Sequence, residues 1–237
     1  MLVRIFRIII FTFSMHIVTH LIVFFMLPFG LLIVRFNGKK LPGLKRWFRR
    51  ALFRIVGKDL EVHGEENIEK VKGYLIVANY PSFYAGFVMV SLFPMSSIVA
   101  HSFTSRIPIL GHILKRSGAI FVNPKRAQRS RRSIEMGIDN VTGSVIIFPE
   151  GKRTPDGEIK RFKRGYIYIL RHSWLDLLPV SLNGLYSLKP VKRFYLDPDA
   201  EPEVFIHRAI SNSRLREMSD QEIHDLTVDI IRSEYRP

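Results

Sequence analysis

The sequence predicts an α/β protein: a mixed, mainly parallel central sheet flanked by helices, preceded by an N-terminal hydrophobic membrane-helix segment. Three observations predict it. Short unbroken apolar runs such as Tyr74–Ala78 and Val145–Phe148 are too short for useful helices and read as strands buried on both faces. Longer amphipathic stretches separate these runs, the rhythm of parallel strands joined by helical crossovers. Finally, the chain from Ile8 to Val34 carries no Asp, Glu, Lys or Arg.

That first segment would span about 40 Å as a helix, against a bilayer hydrocarbon core of about 30 Å. It is too long for a secretory signal, and no small-residue cleavage site follows it. Pro28-Phe29-Gly30 marks a kink or break, so one tilted span and two shorter helices dipping into a leaflet both fit. His16 and His20 share one helical face and read as facing a partner helix or the headgroup zone. Arg4 and Arg7 precede the run, and Arg35, Lys39, Lys40, Lys45, Arg46, Arg49, Arg50 and Arg54 follow it. The excess of basic residues after the run places the globular part on the cytoplasmic side. From Leu41 to Val56, Trp47, Phe48, Leu52, Phe53 and Ile55 alternate with Arg and Lys, the pattern of a helix lying on an anionic phospholipid surface. Residues 1–56 are therefore expected to be membrane-embedded and interfacial, and residues 57–237 to form the α/β domain.

Within that domain the expected strands are Leu60–His63, Tyr74–Ala78, Ile98–Ala100, Ala119–Val122, Val145–Phe148, Leu178–Leu182 and Val204–Ile206. Helices are expected near Phe83–Leu92, Arg106–Lys115, Arg126–Val141 and Phe162–Arg171. In the last helix Ser219 and Glu222 form a capping box ahead of Ile223, Leu226 and Ile230. Arg129, Arg131 and Arg132 read as a solvated helix face.

Composition narrows the function. The chain has 237 residues, 47% of them hydrophobic, with a net charge of +15, so a sizeable core and an anionic partner are both expected. No zinc-finger spacing or aromatic RNA-recognition signature is present, which favours lipid over nucleic acid. With no Cys, disulfides, zinc-thiolate sites and a cysteine nucleophile are excluded, and no metal site is predicted.

The chemistry points to Ser144-Val-Ile-Ile-Phe-Pro-Glu-Gly-Lys-Arg-Thr154. Pro149 and Gly151 stop the strand, and Glu150, Lys152, Arg153 and Thr154 crowd its C-terminal end, where open α/β sheets bind ligands. A carboxylate, an arginine fork and a hydroxyl there suit an anionic, hydroxyl-bearing substrate. The other reading of these residues is a charged turn after a core strand.

This stretch resembles the F-P-E-G-T-R-S block of the glycerolipid acyltransferase family, the lysophosphatidate acyltransferase type. Three further blocks follow the family's order and spacing between about Trp47 and Asn183. Asn79-Tyr-Pro-Ser-Phe-Tyr-Ala85 is similar to N-H-x-S-x-x-D, in which the histidine acts as general base and the aspartate orients it. Asn79, Pro81 and Ser82 suit that pattern, whereas Tyr80 stands at the histidine place and Ala85 at the aspartate place. Ser117-Gly-Ala-Ile-Phe-Val-Asn-Pro-Lys-Arg126 is similar to G-x-I-F-I-D-R, with Asn123 at the aspartate place, Pro124 at the arginine place and Lys125 or Arg126 as neighbouring sources of charge. Leu178-Pro179-Val180 is similar to the V-P-V strand on the acyl-donor side.

The resemblance implies the acyltransferase fold and a role in phospholipid synthesis: transfer of a fatty acyl group from acyl-CoA or acyl carrier protein thioester to a lysophospholipid such as 1-acylglycerol 3-phosphate. It implies no bound cofactor. Arg153 would bind the phosphate, and Glu150 would position the glycerol or its own loop. Without the dyad, two alternatives stand beside the enzyme: a non-catalytic lipid-binding relative and an inactivated variant. His101, following the third expected strand, is the candidate substitute base.

Overall fold

The computed structural model describes residues 3–14, 60–69, 72–108, 110–123, 125–139, 141 and 143–237. Among the described residues seven strands, β1 (Glu61–His63), β2 (Tyr74–Ala78), β3 (Ser96–His101), β4 (Ile120–Val122), β5 (Ser144–Ile147), β6 (Asp176–Asn183) and β7 (Glu203–Ile206), form one sheet in the order β1-β7-β6-β2-β5-β3-β4. All neighbours are parallel except β6 and β7. Each expected strand is present, and β3 and β6 extend beyond both predicted ends.

β2 lies centrally, and Leu75, Ile76, Val77 and Ala78 are wholly buried. Its alternate residues supply two cores. Tyr74, Ile76 and Ala78 meet Tyr84, Ala85, Val88 and Met89 of α2 (Tyr84–Leu92). Leu75 and Val77 face Tyr166, Ile167, Ile169 and Leu170 of α5 (Gly165–Arg171) in the opposite layer. That layer also holds Ile134 and Ile138 of α4 (Ala127–Ile138). With both faces covered, the β2 run has no polar side to alternate with.

Pro179 sits inside β6, an unusual place for a residue without an N–H. Its carbonyl accepts from His207 N at 3.1 Å, just past the end of β7. The missing donor therefore lies on the β7 side, where regular pairing begins only at Val180 with Ile206, and pairing with β2 is spared.

Several predicted boundaries are corrected. The helix expected at Arg106 is α3 (Leu110–Arg116), because Ser102–Arg106 forms a 3₁₀ turn and Pro108 follows it. Phe162 and Lys163 precede α5 rather than opening it, since Lys163 N donates to Pro149 O at 2.9 Å. Two short helices were not anticipated: α6 (Leu185–Leu188) and α7 (Asn212–Glu217). The capping box of α8 (Asp220–Ser233) is present, but its buried stripe is Ile223, Thr227 and Ile231, with Leu226 and Ile230 only partly covered.

Residues 3–14 form helix α1, docked on the domain. Arg4 and Arg7 pair with Asp199 at 3.7 and 3.2 Å. Leu196 N donates to Thr12 Oγ1 at 3.0 Å, and Phe11 packs against the α2-side core. Val3, Phe6, Ile9 and Phe13 are exposed. Among the described residues no helix is long and apolar enough to cross a membrane. His16, His20, the Pro28–Gly30 break, the basic stretch Leu41–Val56 and the expected boundary at residue 56 lie outside the described residues.

Ser181 ties α8 to the sheet, with His207 bonded behind it. Ser181 Oγ donates to Ile231 O at 2.8 Å and lies 2.8 Å from His207 Nε2. Since the hydroxyl proton is committed, Nε2–H is the donor to Ser181. Burial lowers the His207 pKa below its usual value, with Glu234 opposing. The neutral ring is thus favoured on folding, and the unfolded chain takes up the proton first. Stability is full above the unfolded value of about 6.5 and is lost as pH falls from there through the depressed folded value. His207→Gln keeps a donor for Ser181 and should flatten this dependence, read as Tm against pH; an undiminished slope would assign it to other groups.

Candidate active site

Because β2 and β5 are parallel neighbours in register, with Val77 opposite Ile147, the segments following them emerge together at the C-terminal edge of the sheet. Tyr80 stacks on Phe148 with ring centroids 4.4 Å apart and planes 17° from parallel. Thr154 N donates to Tyr80 O at 3.0 Å. The two sequence blocks thereby become one site, with Tyr80 at its centre.

Glu150 is only 3% exposed. Its Oε1 accepts from Tyr80 N at 2.6 Å and its Oε2 from Lys160 N at 3.0 Å. Both oxygens are used on backbone, so the carboxylate ties the β2 turn to the loop that follows β5. Burial raises its pKa, opposed by the bonds from Tyr80 and Lys160. Of the two positions foreseen for Glu150, glycerol and its own loop, the geometry shows contact with the loop. Gly151 completes the turn at φ 71°, a conformation that strains any side chain; the Lys163 ammonium that a Cβ would meet at 2.7 Å ends a flexible chain and can move aside.

Asn79 is likewise spent on backbone. Its Nδ2 donates to Leu182 O at 2.9 Å and its Oδ1 accepts from Leu182 N at 2.7 Å. Ser82, fully buried, accepts from Tyr84 N at 3.2 Å and shapes the start of α2. Thr154, also buried, donates to Asp156 Oδ1 at 2.9 Å. Asp156 is held at about 2 chiefly by Lys160, whose ammonium lies 2.5 Å from Oδ2.

Tyr80 brings a phenol to the place where the resemblance puts an imidazole. Burial pushes its phenol above the usual value, only partly opposed by Arg153. Even an unperturbed phenol is about one part in a thousand ionised at pH 7. Ala85, fully buried in the first turn of α2, has nothing with which to orient a base.

His101 ends β3, which is separated from β2 by β5, a lateral offset of about 9–10 Å. Its Nδ1 accepts from Phe103 N at 3.1 Å and caps the 3₁₀ turn. A base role would require that bond to break, or the proton on the other nitrogen to move. Lys125 and Arg126 lie one strand further out, after β4, where Lys125 N donates to Asn123 Oδ1 at 3.0 Å. Both are exposed.

Arg153 is exposed and has no carboxylate partner among the described residues. Its charge acts on Tyr80 and on Lys189. Lys189, at the end of α6, was not foreseen. Its ammonium donates to Arg193 O, and burial followed by Arg153 lowers its pKa. The loop also rests on the C-terminal tail, where Tyr235 OH donates to Gly157 O and Asn183 Nδ2 to Glu234 O at 2.7 Å. Neither Lys189 nor Tyr235 lies in a motif, and only the fold brings them here.

This edge of a parallel sheet, with a charged turn after β5 and an arginine beside the end of β2, is the place where open α/β sheets bind ligands. Residues 59–183 match the Acyltransferase family, and the chain belongs to it. It is 28% identical over 149 residues to the 1-acyl-sn-glycerol-3-phosphate acyltransferase of Saccharomyces cerevisiae, covering 60% of this chain and 49% of that protein. The protein of that name from Borreliella burgdorferi is 28% identical over 182 residues, 75% of this chain and 72% of the relative. The chain thus spans about half of the yeast relative's length, and 58% of a similar one from Limnanthes alba. Among solved structures, the 1-acyl-sn-glycerophosphate (LPA) acyltransferase PlsC from Thermotoga maritima shares the fold. Its TM-score is 0.82 at 24% identity, over 97% of this chain and 95% of that one.

Proposed function

We propose that this protein binds a lysophospholipid carrying a phosphomonoester, such as 1-acylglycerol 3-phosphate, and that acyl transfer to it from a carrier thioester is weak in this form. The observation that carries the reading is Arg153: an exposed guanidinium without a carboxylate partner among the described residues, beside the residue at the family's base position. A fork of donors suits a phosphomonoester, and Lys189 adds a second positive charge close by. The relatives' names support the acceptor class. The weakness of the transfer rests on Tyr80, which stays a neutral phenol, and on Ala85. The exposed apolar side chains of α1 and the charge-free run after Arg7 support attachment to a membrane, with the globular part on the cytoplasmic side.

Arg153→Ala should weaken lysophosphatidate binding by about 1.5–3 kcal/mol with little change in Tm. Equilibrium binding in the absence of any donor measures this. An unchanged affinity would remove Arg153 from the site and favour Lys125 or Arg126.

A further inference from the structure

Between Glu150 and Lys160 the chain leaves the sheet as a loop without regular secondary structure, and this loop carries Arg153. Its neck is closed by the Glu150 carboxylate, which accepts from Lys160 N at 3.0 Å. Its middle is braced from within, where Asp156 accepts from Thr154 Oγ1 and Glu158 N and pairs with Lys160. The tip is held from outside by two phenols. Tyr186 OH, on α6, donates to Pro155 O at 3.2 Å, and Tyr235 OH, on the C-terminal tail, donates to Gly157 O.

Both phenols are aimed by their surroundings. Asn183, the last residue of β6 and 2% exposed, donates to Glu234 O at 2.7 Å and accepts from Arg236 N at 3.1 Å. The sheet therefore grips the tail on either side of Tyr235. Burial, and after it the carboxylates of Glu150, Glu158 and Asp156, raise the Tyr235 pKa, so the phenol remains a donor. The Tyr186 ring closes on Gly157, where a Cβ would meet its Cδ1 and Cε1 at 3.0 Å. Gly157 is buried at φ 90°, a backbone conformation that suits glycine alone.

This grip bears on charge. Lys189, one residue beyond α6, has its pKa lowered by burial and then by Arg153, so the two cations are held within reach of each other. Neither has a carboxylate partner among the described residues. A loop free at its tip would let the like charges separate, whereas an anion between them would be held by both.

We propose that Tyr235 and Tyr186 are positioning residues: their phenols hold the loop tip so that Arg153 stays beside Lys189 and the pair receives one phosphomonoester. The proposal rests on the phosphate-binding reading of Arg153 above and adds to it the residues that set the guanidinium in place.

Equilibrium binding of lysophosphatidate to the full-length protein, without donor, tests it in a double-variant cycle. Tyr235→Phe removes only the hydroxyl and should weaken binding about 2–10-fold, the share of one hydrogen bond. In the Arg153→Ala background the same substitution should change affinity by less than about twofold, because the phenol acts through the guanidinium. Tyr186→Phe should repeat the pattern, and it supplies an independent cycle if Tyr235→Phe fails to fold. Amide hydrogen exchange should quicken over residues 151–160 in either variant while the sheet stays protected. Full affinity in both Phe variants, an equal loss in the Arg153→Ala background, or exchange that quickens throughout the domain would overturn the proposal. If Arg153→Ala loses affinity while both phenols are silent, the positioning role alone falls. If Arg153→Ala binds normally, the phosphate reading falls and the positioning role with it.

Discussion

Tyr80→His combined with Ala85→Asp should raise acyl transfer to lysophosphatidate by about 10²–10⁴-fold over the parent, the usual contribution of a positioned general base. The imidazole would take the place of a phenol that stacks on Phe148 and is kept neutral by burial. Neither replacement should suffice alone, because base and orienting carboxylate act as a unit. Ala85→Asp by itself should be costly. Position 85 is wholly buried, and an unpaired carboxylate there should destabilise by about 3–5 kcal/mol, softened by its place in the first turn of α2. Adding Tyr80→His should recover part of that loss, so Tm and turnover should rise together from the Asp single variant to the double. A double variant that folds and binds lysophosphatidate yet stays inactive would show that the pocket has diverged beyond its dyad. Strong parental activity that collapses in His101→Ala would establish a relocated base. Strong parental activity indifferent to His101 would refute the chemistry proposed for Tyr80.

The strands were legible because burial on both faces leaves a plain signature: Tyr74–Ala78 has no polar position to confuse the period, and its predicted bounds match β2. The helix starts were less legible where turns intervene. Nothing local to Phe162 and Lys163 announces that Lys163 N bonds to Pro149 O, so an amphipathic pattern extended the helix three residues too far. Short helices such as Leu185–Leu188 have a single turn and no period to detect. The site was legible as two blocks, since parallel strands put their C-terminal ends side by side. The use of each side chain was not. The sequence leaves Glu150 either the glycerol or its own loop and places Asn79 only within a family block; both satisfy backbone groups where the chain turns away from the sheet. Lys189 and Tyr235 come from segments distant in sequence, and contact across such distances has no local signal.

Asn79→Ala should therefore act on stability rather than on the affinity of the lysolipid. β2 pairs regularly with β6 up to Ala78 opposite Val180. Beyond that point the chain turns into the Tyr80 loop, and the Asn79 amide continues the pairing by bonding Leu182 in both directions, at 2.9 and 2.7 Å. Asn79 is 1% exposed and Leu182 fully buried, so water cannot readily replace the lost amide. Leaving one donor and one acceptor unsatisfied costs about 1–3 kcal/mol each, or roughly 2–6 kcal/mol together, a large share of the about 5–15 kcal/mol that holds most domains folded. Asn79→Asp should fare little better. It keeps an acceptor for Leu182 N, but it faces Leu182 O with a second acceptor and adds a buried charge. Denaturant unfolding of both variants measures the loss. Lysophosphatidate affinity, measured on the folded fraction at low temperature, should stay within about threefold of the parent, in contrast to the roughly 10–150-fold loss expected for Arg153→Ala. Normal stability with lost lysolipid binding in Asn79→Ala would reverse the assignment and place the Asn79 amide on the substrate.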